Sequence, residues 1–421
     1  GATSAAPGML WTIRSITSLL LSFGLLLLAN GLFGTLLGLR SKLEGFSTEI
    51  TGLVMAGYSL GLLLGAFYAV RVVASVGHIR AFAAFASIMS VAVLTHLLII
   101  EPITWLCLRM VAGFCMAGMV MVTESWINER ASNATRGRIL SLYMVTNYIG
   151  SGSGQLLLNI ANPEQFELFV VASIIFSIAL VPVLLTRTTG PKPVTPQRMS
   201  LGQLYVISPV GVIGTIAAGS ANASVNSLGA IFASDQNLSL AEVSMFMACI
   251  IMGGMLLQFP LGRMSDRFDR RTTLLLSAVA TAACSLGLMW AARDAGWPLF
   301  VIAAVYGGFA FTIYPLCCAQ VNDLADPDRL VQVSAGLLVA FGLGAIVGPI
   351  VSGLLMGYFG ANGLFFFTTT VSGSLALFTV YRMAIRTRSV RQKAPYLPLG
   401  SIGVSSKQLY AAVVKSIHGQ R

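Results

Sequence analysis

Twelve continuous apolar runs, most of about 20 residues or more, follow one another along this chain. They span 15–39, 48–70, 80–100, 103–126, 139–160, 166–186, 207–232, 240–262, 272–292, 297–321, 331–357 and 361–384. A run of that length crosses the hydrocarbon core of a bilayer as a helix, because lipid offers no partner for an open backbone. The runs do not alternate apolar and polar residues, so a closed barrel is excluded. With 56% apolar and only 10% charged residues, 421 residues cannot cover a water-soluble surface, for which about 25% charged is usual. Disorder is excluded by the same hydrophobicity. The sequence predicts an all-α membrane protein of twelve transmembrane helices.

The net charge of +11 belongs to short loops between these runs, which excludes a nucleic-acid surface. Nineteen basic residues, from Arg14, Arg71 and Arg80 through Arg391 and Lys393, fall on one side, against Arg40, Lys42 and Arg293 on the other. Positive loops stay inside, so both termini of this multi-pass protein are expected in the cytoplasm. The stretch from Ile16 to Leu39 is too long for a signal-peptide core and reads as the first membrane helix; Gly1–Gly8 precedes it as an Ala/Ser/Pro-rich segment. Four units follow: a bundle over 10–186, a Pro/Gly-rich cytoplasmic linker over 187–206, a second bundle over 207–385, and a basic cytoplasmic tail over 386–421 that is solvated or docks a protein partner.

The halves repeat. A shift of 193–194 residues aligns Glu49 with Glu242, Gly113 with Gly307, Asn128 with Asn322, Glu129 with Asp323, Gly150 with Gly344 and Gly154 with Gly348. Duplicated six-helix halves related by an axis along the membrane normal are a transporter architecture, with the substrate site between them near mid-membrane.

Gly262-Arg263-Met264-Ser265-Asp266-Arg267-Phe268-Asp269-Arg270-Arg271, between the eighth and ninth runs, resembles the loop signature of the major facilitator superfamily. The resemblance covers residues 10–390 and implies two pseudo-symmetric six-helix bundles, alternating access, and a loop that latches the bundles in the outward-facing state. It makes Gly262, Asp266, Arg267 and Arg270 gating residues. In the first half Val73 stands where Asp266 stands, leaving Gly77, His78 and Arg80 without the carboxylate. Glu129, Arg136 and Arg138 resemble the family's acid and Arg-Gly-Arg after the fourth helix; with Asp323 they are expected in a gating salt-bridge network. Arg109-Met110-Val111-Ala112-Gly113 resembles the family's Arg-x-x-x-Gly element, tied to coupling in proton-driven members. Glu124-Ser125-Trp126, Arg136-Gly137-Arg138, Tyr143-Met144 and Gly154-Gln155 resemble a bacterial inner-membrane branch of mostly unassigned substrate.

Read from the residues alone, Arg109 is an intramembrane cation, either functional or snorkelling to the nearer interface. Glu124 lies about 22 Å further along the same helix; it is either the titrating carboxylate that couples protons or a structural partner of Arg130, Arg136 or Arg138. The glycines of runs five and eleven, Gly150, Gly152, Gly154, Gly344, Gly348 and Gly353, suit close helix packing. Gln155 replaces the proline that drug–proton antiporters of the family carry there. Segments one, four, seven and ten line the cavity in that family, and the intramembrane polar residues Asn30, Arg109, Asn147, Tyr148, Asn222, Asn226, Tyr306 and Tyr314 are the candidate substrate contacts, with Met116, Met119 and Met121 nearby.

So sparse a polar set fits an amphipathic small molecule better than a sugar. The function expected is proton-coupled export of an amphipathic metabolite or drug by a monomeric antiporter; uptake of a small organic solute, or a non-transporting scaffold of the same fold, is the alternative. The six cysteines lie in apolar runs without metal-ligand spacing, and no motif points to catalysis, a metal or a cofactor.

Overall fold

The computed structural model describes residues 9–131, 135–185, 197–385 and 396–398, with the side chains of 9–15 and 136 excepted. The expectations for the N-terminal Gly1–Gly8, for the first half of the linker and for most of the basic tail with its partner therefore lie outside the described residues.

Among the described residues thirteen α-helices follow one another: α1 (Met9–Leu43), α2 (Thr48–Val76), α3 (His78–Leu98), α4 (Pro102–Arg130), α5 (Arg136–Leu156), α6 (Glu167–Leu184), the short α7 (Leu201–Ile207), α8 (Pro209–Asp235), α9 (Leu240–Arg267), α10 (Arg270–Ala291), α11 (Trp297–Leu324), α12 (Leu330–Phe359) and α13 (Gly363–Ile385). Twelve are long, one for each apolar run, and they form two bundles, α1–α6 and α8–α13. Ten of the twelve are apolar enough along their length to cross a membrane. The two that fall short, α5 and α8, carry Asn147, Ser151 and Gln155, and Ser220, Asn222 and Asn226, which are buried or half-buried inside the protein. Large apolar residues such as Val91, Ile174, Ile178 and Leu377 are exposed on the outside, where a bilayer covers them.

Local chemistry starts several helices where a loop ends. Ser47 Oγ accepts from the Ile50 amide of α2 at 3.3 Å. Ser239 and Glu242 form the capping box that their spacing predicts, Oγ accepting from Glu242 N and the carboxylate from Ser239 N. Glu101 caps α4 through the Thr104 amide at 2.8 Å, and this bond holds its carboxyl below the usual range.

The duplication is visible in how helices cross. A Cβ on Gly113 of α4 would sit 2.1 Å from the Tyr58 carbonyl of α2, and one on Gly307 of α11 1.8 Å from the Ile250 carbonyl of α9. Likewise Gly154 of α5 lies on the Leu28 carbonyl of α1, and Gly348 of α12 on the Ser220 carbonyl of α8. Each pair maps onto its counterpart by a shift of 192–194 residues. These glycines are packing positions, where a side chain would drive the backbones apart.

Between the bundles, α1 packs on α8, α2 on α12 and α5 on α9. All three contacts close the face opposite the chain termini. Lys42 Nζ pairs with Asp235 Oδ1 at 2.6 Å and bonds Ser234 Oγ at 2.8 Å. Gly353 and Gly357 lie against Thr48 and Glu49, and Asn159 Nδ2 donates to Ser244 Oγ at 2.8 Å. On the terminal face, α7 starts with a Ser200–Gln203 capping box and seats Leu204 against Gly336 of α12. Arg198, just before it, lies over the Phe67 ring at 3.6 Å, and burial lowers its pKa from the ordinary arginine value.

Candidate functional site

A cavity of about 1000 Å³, part of it open to its surroundings, lies between the bundles. Helices α1, α2, α4 and α5 line it from the first bundle and α8, α9 and α12 from the second. Most of the wall is apolar: Met55, Leu62 and Leu63 face Met247, Ile251 and Phe341. Asn30, Arg109, Asn222 and Asn226 are the predicted contacts that the fold brings together here.

Arg109 does not snorkel. It is 4% exposed on α4, and its guanidinium lies over the Tyr58 ring at 4.2 Å and 5.6 Å from the Phe33 ring. Tyr58 Oη donates to Asn30 Oδ1 at 3.0 Å, fixing the ring that carries the cation. Cation–π contacts replace part of the lost hydration. Nε and Nη1 of Arg109 are nonetheless buried without a hydrogen-bond acceptor, and Oδ1 of Asn222 on the opposite wall is buried without a donor. Gln155 is spent within the first bundle: it accepts from Thr35 Oγ1 and donates to the Gly31 carbonyl at 3.0 Å. The residue that replaces the family proline thus ties α5 to α1.

Four predicted contacts are not in the cavity wall. Asn147 is buried on α5, and Tyr148 is engaged between the bundles, its hydroxyl accepting from Gln258 of α9. Tyr306 turns into the second bundle against Phe365 at 5.6 Å, and Tyr314 packs behind the lining residue Phe341 at 4.7 Å. Segment ten, α11, contributes no described lining residue; α2, α5, α9 and α12 do so instead. The lining methionines are Met55 and Met247, whereas Met116 and Met119 are core. On α11 helical phase decides: Gly307 abuts the Ile250 carbonyl of α9, while Tyr306 and Tyr314 meet Phe365 and Phe341. Thr35, Tyr58, Ser59 and Ser151 also line the cavity, and the polar census over the apolar runs missed them.

Glu124 is 6% exposed and lies outside the cavity; its Oε1 accepts from Tyr143 Oη of α5 at 2.6 Å. Tyr143 in turn stacks on Phe23 of α1, with ring centroids 4.4 Å apart. In the loop signature, Asp266 does not bridge the bundles. It accepts from Arg270 Nη1 at 3.2 Å and from the Tyr396 amide at 2.8 Å, while the Tyr396 ring covers Gly262. Arg270, 1% exposed, joins Asp323 of α11 at 2.5 Å and Ser265 at 2.9 Å. Arg267, Glu129 and Arg138 are exposed, and the Arg136 side chain lies outside the described ones. In the first half Val73 is buried and His78 lies on Trp126, centroids 5.8 Å apart, so aromatic packing stands where the second half has ions.

The sequence model of the Major Facilitator Superfamily matches this chain in two consecutive stretches, 19–209 and 210–413. The chain belongs to the major facilitator superfamily. The break between the matched stretches falls at the start of α8, where the second bundle begins. This superfamily member is 28% identical over 361 residues to the uncharacterized MFS-type transporter YcaD of Escherichia coli, covering 85% of this chain and 93% of YcaD. It is 26% identical to the uncharacterized MFS-type transporter YE1530 of Yersinia enterocolitica, covering 90% and 97%. Among solved structures, a mutant of the nucleoside transporter NupG superposes with a TM-score of 0.76 at 14% identity, covering 88% of this chain and 99% of NupG. An inward-facing bacterial homologue of the human lysosomal transporter Spinster gives 0.69 at 15% identity, covering 99% of each chain. The chain is therefore a multi-pass membrane transporter of this superfamily, which takes small-molecule substrates.

Proposed function

We propose that this chain is a proton-coupled antiporter of a bacterial inner membrane, with cytoplasmic termini, that exports an amphipathic metabolite or drug. Its bundles, 10–186 and 207–385, move against each other about the linker. The observation that carries this reading is the cavity itself, walled by both bundles, mostly apolar, and sealed on the face opposite the termini by contacts between the bundles. A nucleoside or sugar asks for more polar partners than this wall offers.

Glu124 is the proposed proton site. It is a buried carboxyl with a defined hydrogen-bond donor, so a change in its protonation changes a specific contact between α4 and α5. Its bond to Tyr143, and the stacking of Tyr143 on Phe23, connect its protonation to the packing of α4, α5 and α1. The gating contacts proposed are Arg270–Asp323, with Asp266 and Gly262 holding the tail, and Glu129, Arg136 and Arg138 at the end of α4.

A ligand-stabilisation screen on the purified protein identifies binders. Their movement into proteoliposomes, with and without a pH gradient, then tests the reading. Gradient-driven accumulation supports it, whereas stable copurification with another membrane complex and no transport would assign the fold to a scaffold.

A further inference from the structure

Arg109 is the sole charged residue among the described residues lining the cavity. Among the described residues the only buried carboxylate is Glu124, fifteen positions along the same helix, about 22 Å away. A buried cation without a counter-charge is costly, and two rings over its faces offset only part of that cost. Its edge donors, Nε and Nη1, still lack an acceptor. A guanidinium edge matches the two oxygens of a carboxylate. Arg109 itself borders the cavity, so a ligand there lies beside that edge.

We infer that the transported molecule is an amphipathic organic monoanion whose carboxylate pairs with Arg109. The inference rests on the cavity reading above and names its substrate class. A single cation matches a single negative charge; a phosphate dianion would ask for a second basic group, and the cavity holds none among its described residues. The apolar wall takes the body of the ligand. Asn222 Oδ1, buried and without a donor on the wall of α8, takes an N–H or O–H from the ligand's far end. Carboxylate and donor then engage opposite bundles, so the bound anion bridges the two bodies that move.

The test measures dissociation constants of the purified protein for three scaffolds, decanoic acid, 4-phenylbutanoic acid and indole-3-acetic acid. Each is offered as the carboxylate, the primary amide and the corresponding primary amine. The expected result is that at least one carboxylate binds at least about tenfold tighter than its amide and amine, as a charge-assisted bond requires. Arg109→Gln reduces that preference to about twofold or less, and Arg109→Lys keeps part of it. Asn222→Ala weakens indole-3-acetate but not its N-methyl derivative, which lets the inference stand or fall if Arg109→Gln does not fold. Preferential binding of amines or amides, or a carboxylate preference that survives in Arg109→Gln, overturns the anion while leaving the cavity as a transport site. Absence of binding by every compound overturns the inference as well, and if no transport is found either, the cavity reading falls with it.

Discussion

Lys42 and Asp235, positions 193 residues apart and so equivalent under the internal duplication, form an ion pair of 2.6 Å across the two bundles. They end α1 and α8, and meet on the face opposite the termini because the pseudo-twofold axis runs between those helices. The pair is asymmetric in charge where the backbone is nearly symmetric, so each half supplies one sign. Below it, Gly353 on Thr48 joins α12 to α2, and Asn159, which the 194-residue shift places at Gly353, joins the turn after α5 to Ser244 of α9.

Reversing one charge of this pair loosens the seal. Both side chains are about a third exposed, so the attraction is worth roughly 0.2–1 kcal/mol, a shift of about 1.4- to 5-fold in the closed population. Lys42→Asp raises the labelling rate of a cysteine placed at position 38 by that order, and the double variant Lys42→Asp/Asp235→Lys restores it. Equal rates in the single and double variants reject the pair as a seal.

The ion pair of the second-half loop carries more stability than the acid that the loop signature points to. Asp323→Asn leaves the Arg270 guanidinium, 1% exposed, without its nearest counter-charge and costs about 3–5 kcal/mol. Asp266→Asn costs less, because its side chain is 37% exposed, but frees the Tyr396 amide it holds. Thermal unfolding ranks the two variants, and protease cleavage near Tyr396 rises in Asp266→Asn alone. A larger loss of stability in Asp266→Asn than in Asp323→Asn contradicts this ordering.

Glycine substitutions separate crossings from free surface. Gly307→Ala forces α11 away from the Ile250 carbonyl and lowers stability by about 1–3 kcal/mol. Gly373→Ala on α13 meets nothing within 4 Å and raises stability by about 0.4–1 kcal/mol through the unfolded chain. Unfolding midpoints of the two variants move in opposite directions; shifts of the same sign reject the assignment of Gly307 to a crossing.

Apolar length made the twelve helices legible, and matched glycines made the duplication legible, because both are written locally in the chain. The site was legible only in part. Asn30, Arg109, Asn222 and Asn226 stand out as polar residues in apolar runs, and they meet in the cavity. Tyr306 and Tyr314 stand out in the same way, yet the rotation of α11 about its axis, fixed by Gly307 on α9, turns them into the second bundle. Such a phase is a property of two helices together. Gln155 shows the converse: as a departure from the family proline it marks a difference, and only the fold reveals that its amide holds Thr35 and the Gly31 carbonyl. The asymmetry of the loops was legible, since Val73 replaces an acid; the tail residue Tyr396 on Asp266 was not, because nothing local in 396–398 signals a docking segment.

The last prediction concerns the proton. Glu124 is buried, accepts a hydrogen bond from Tyr143, and stands apart from the cavity that Arg109 borders. If its protonation couples to transport, removing the charge while keeping the shape separates binding from drive. Glu124→Gln retains affinity for any cavity ligand within about twofold, because the cavity wall is untouched, while pH-gradient-driven transport falls at least about tenfold. Tyr143→Phe keeps the carboxyl but deletes its hydrogen-bond donor, so its titration is no longer tied to α5. The pH at which transport is half-maximal then changes, with no comparable loss at the optimum. Ligand-dependent proton flux in proteoliposomes, measured from pH 5 to 9, reads both variants. Wild-type flux in Glu124→Gln removes this residue from coupling, and an unchanged pH profile in Tyr143→Phe removes the bond between them as the element that sets it.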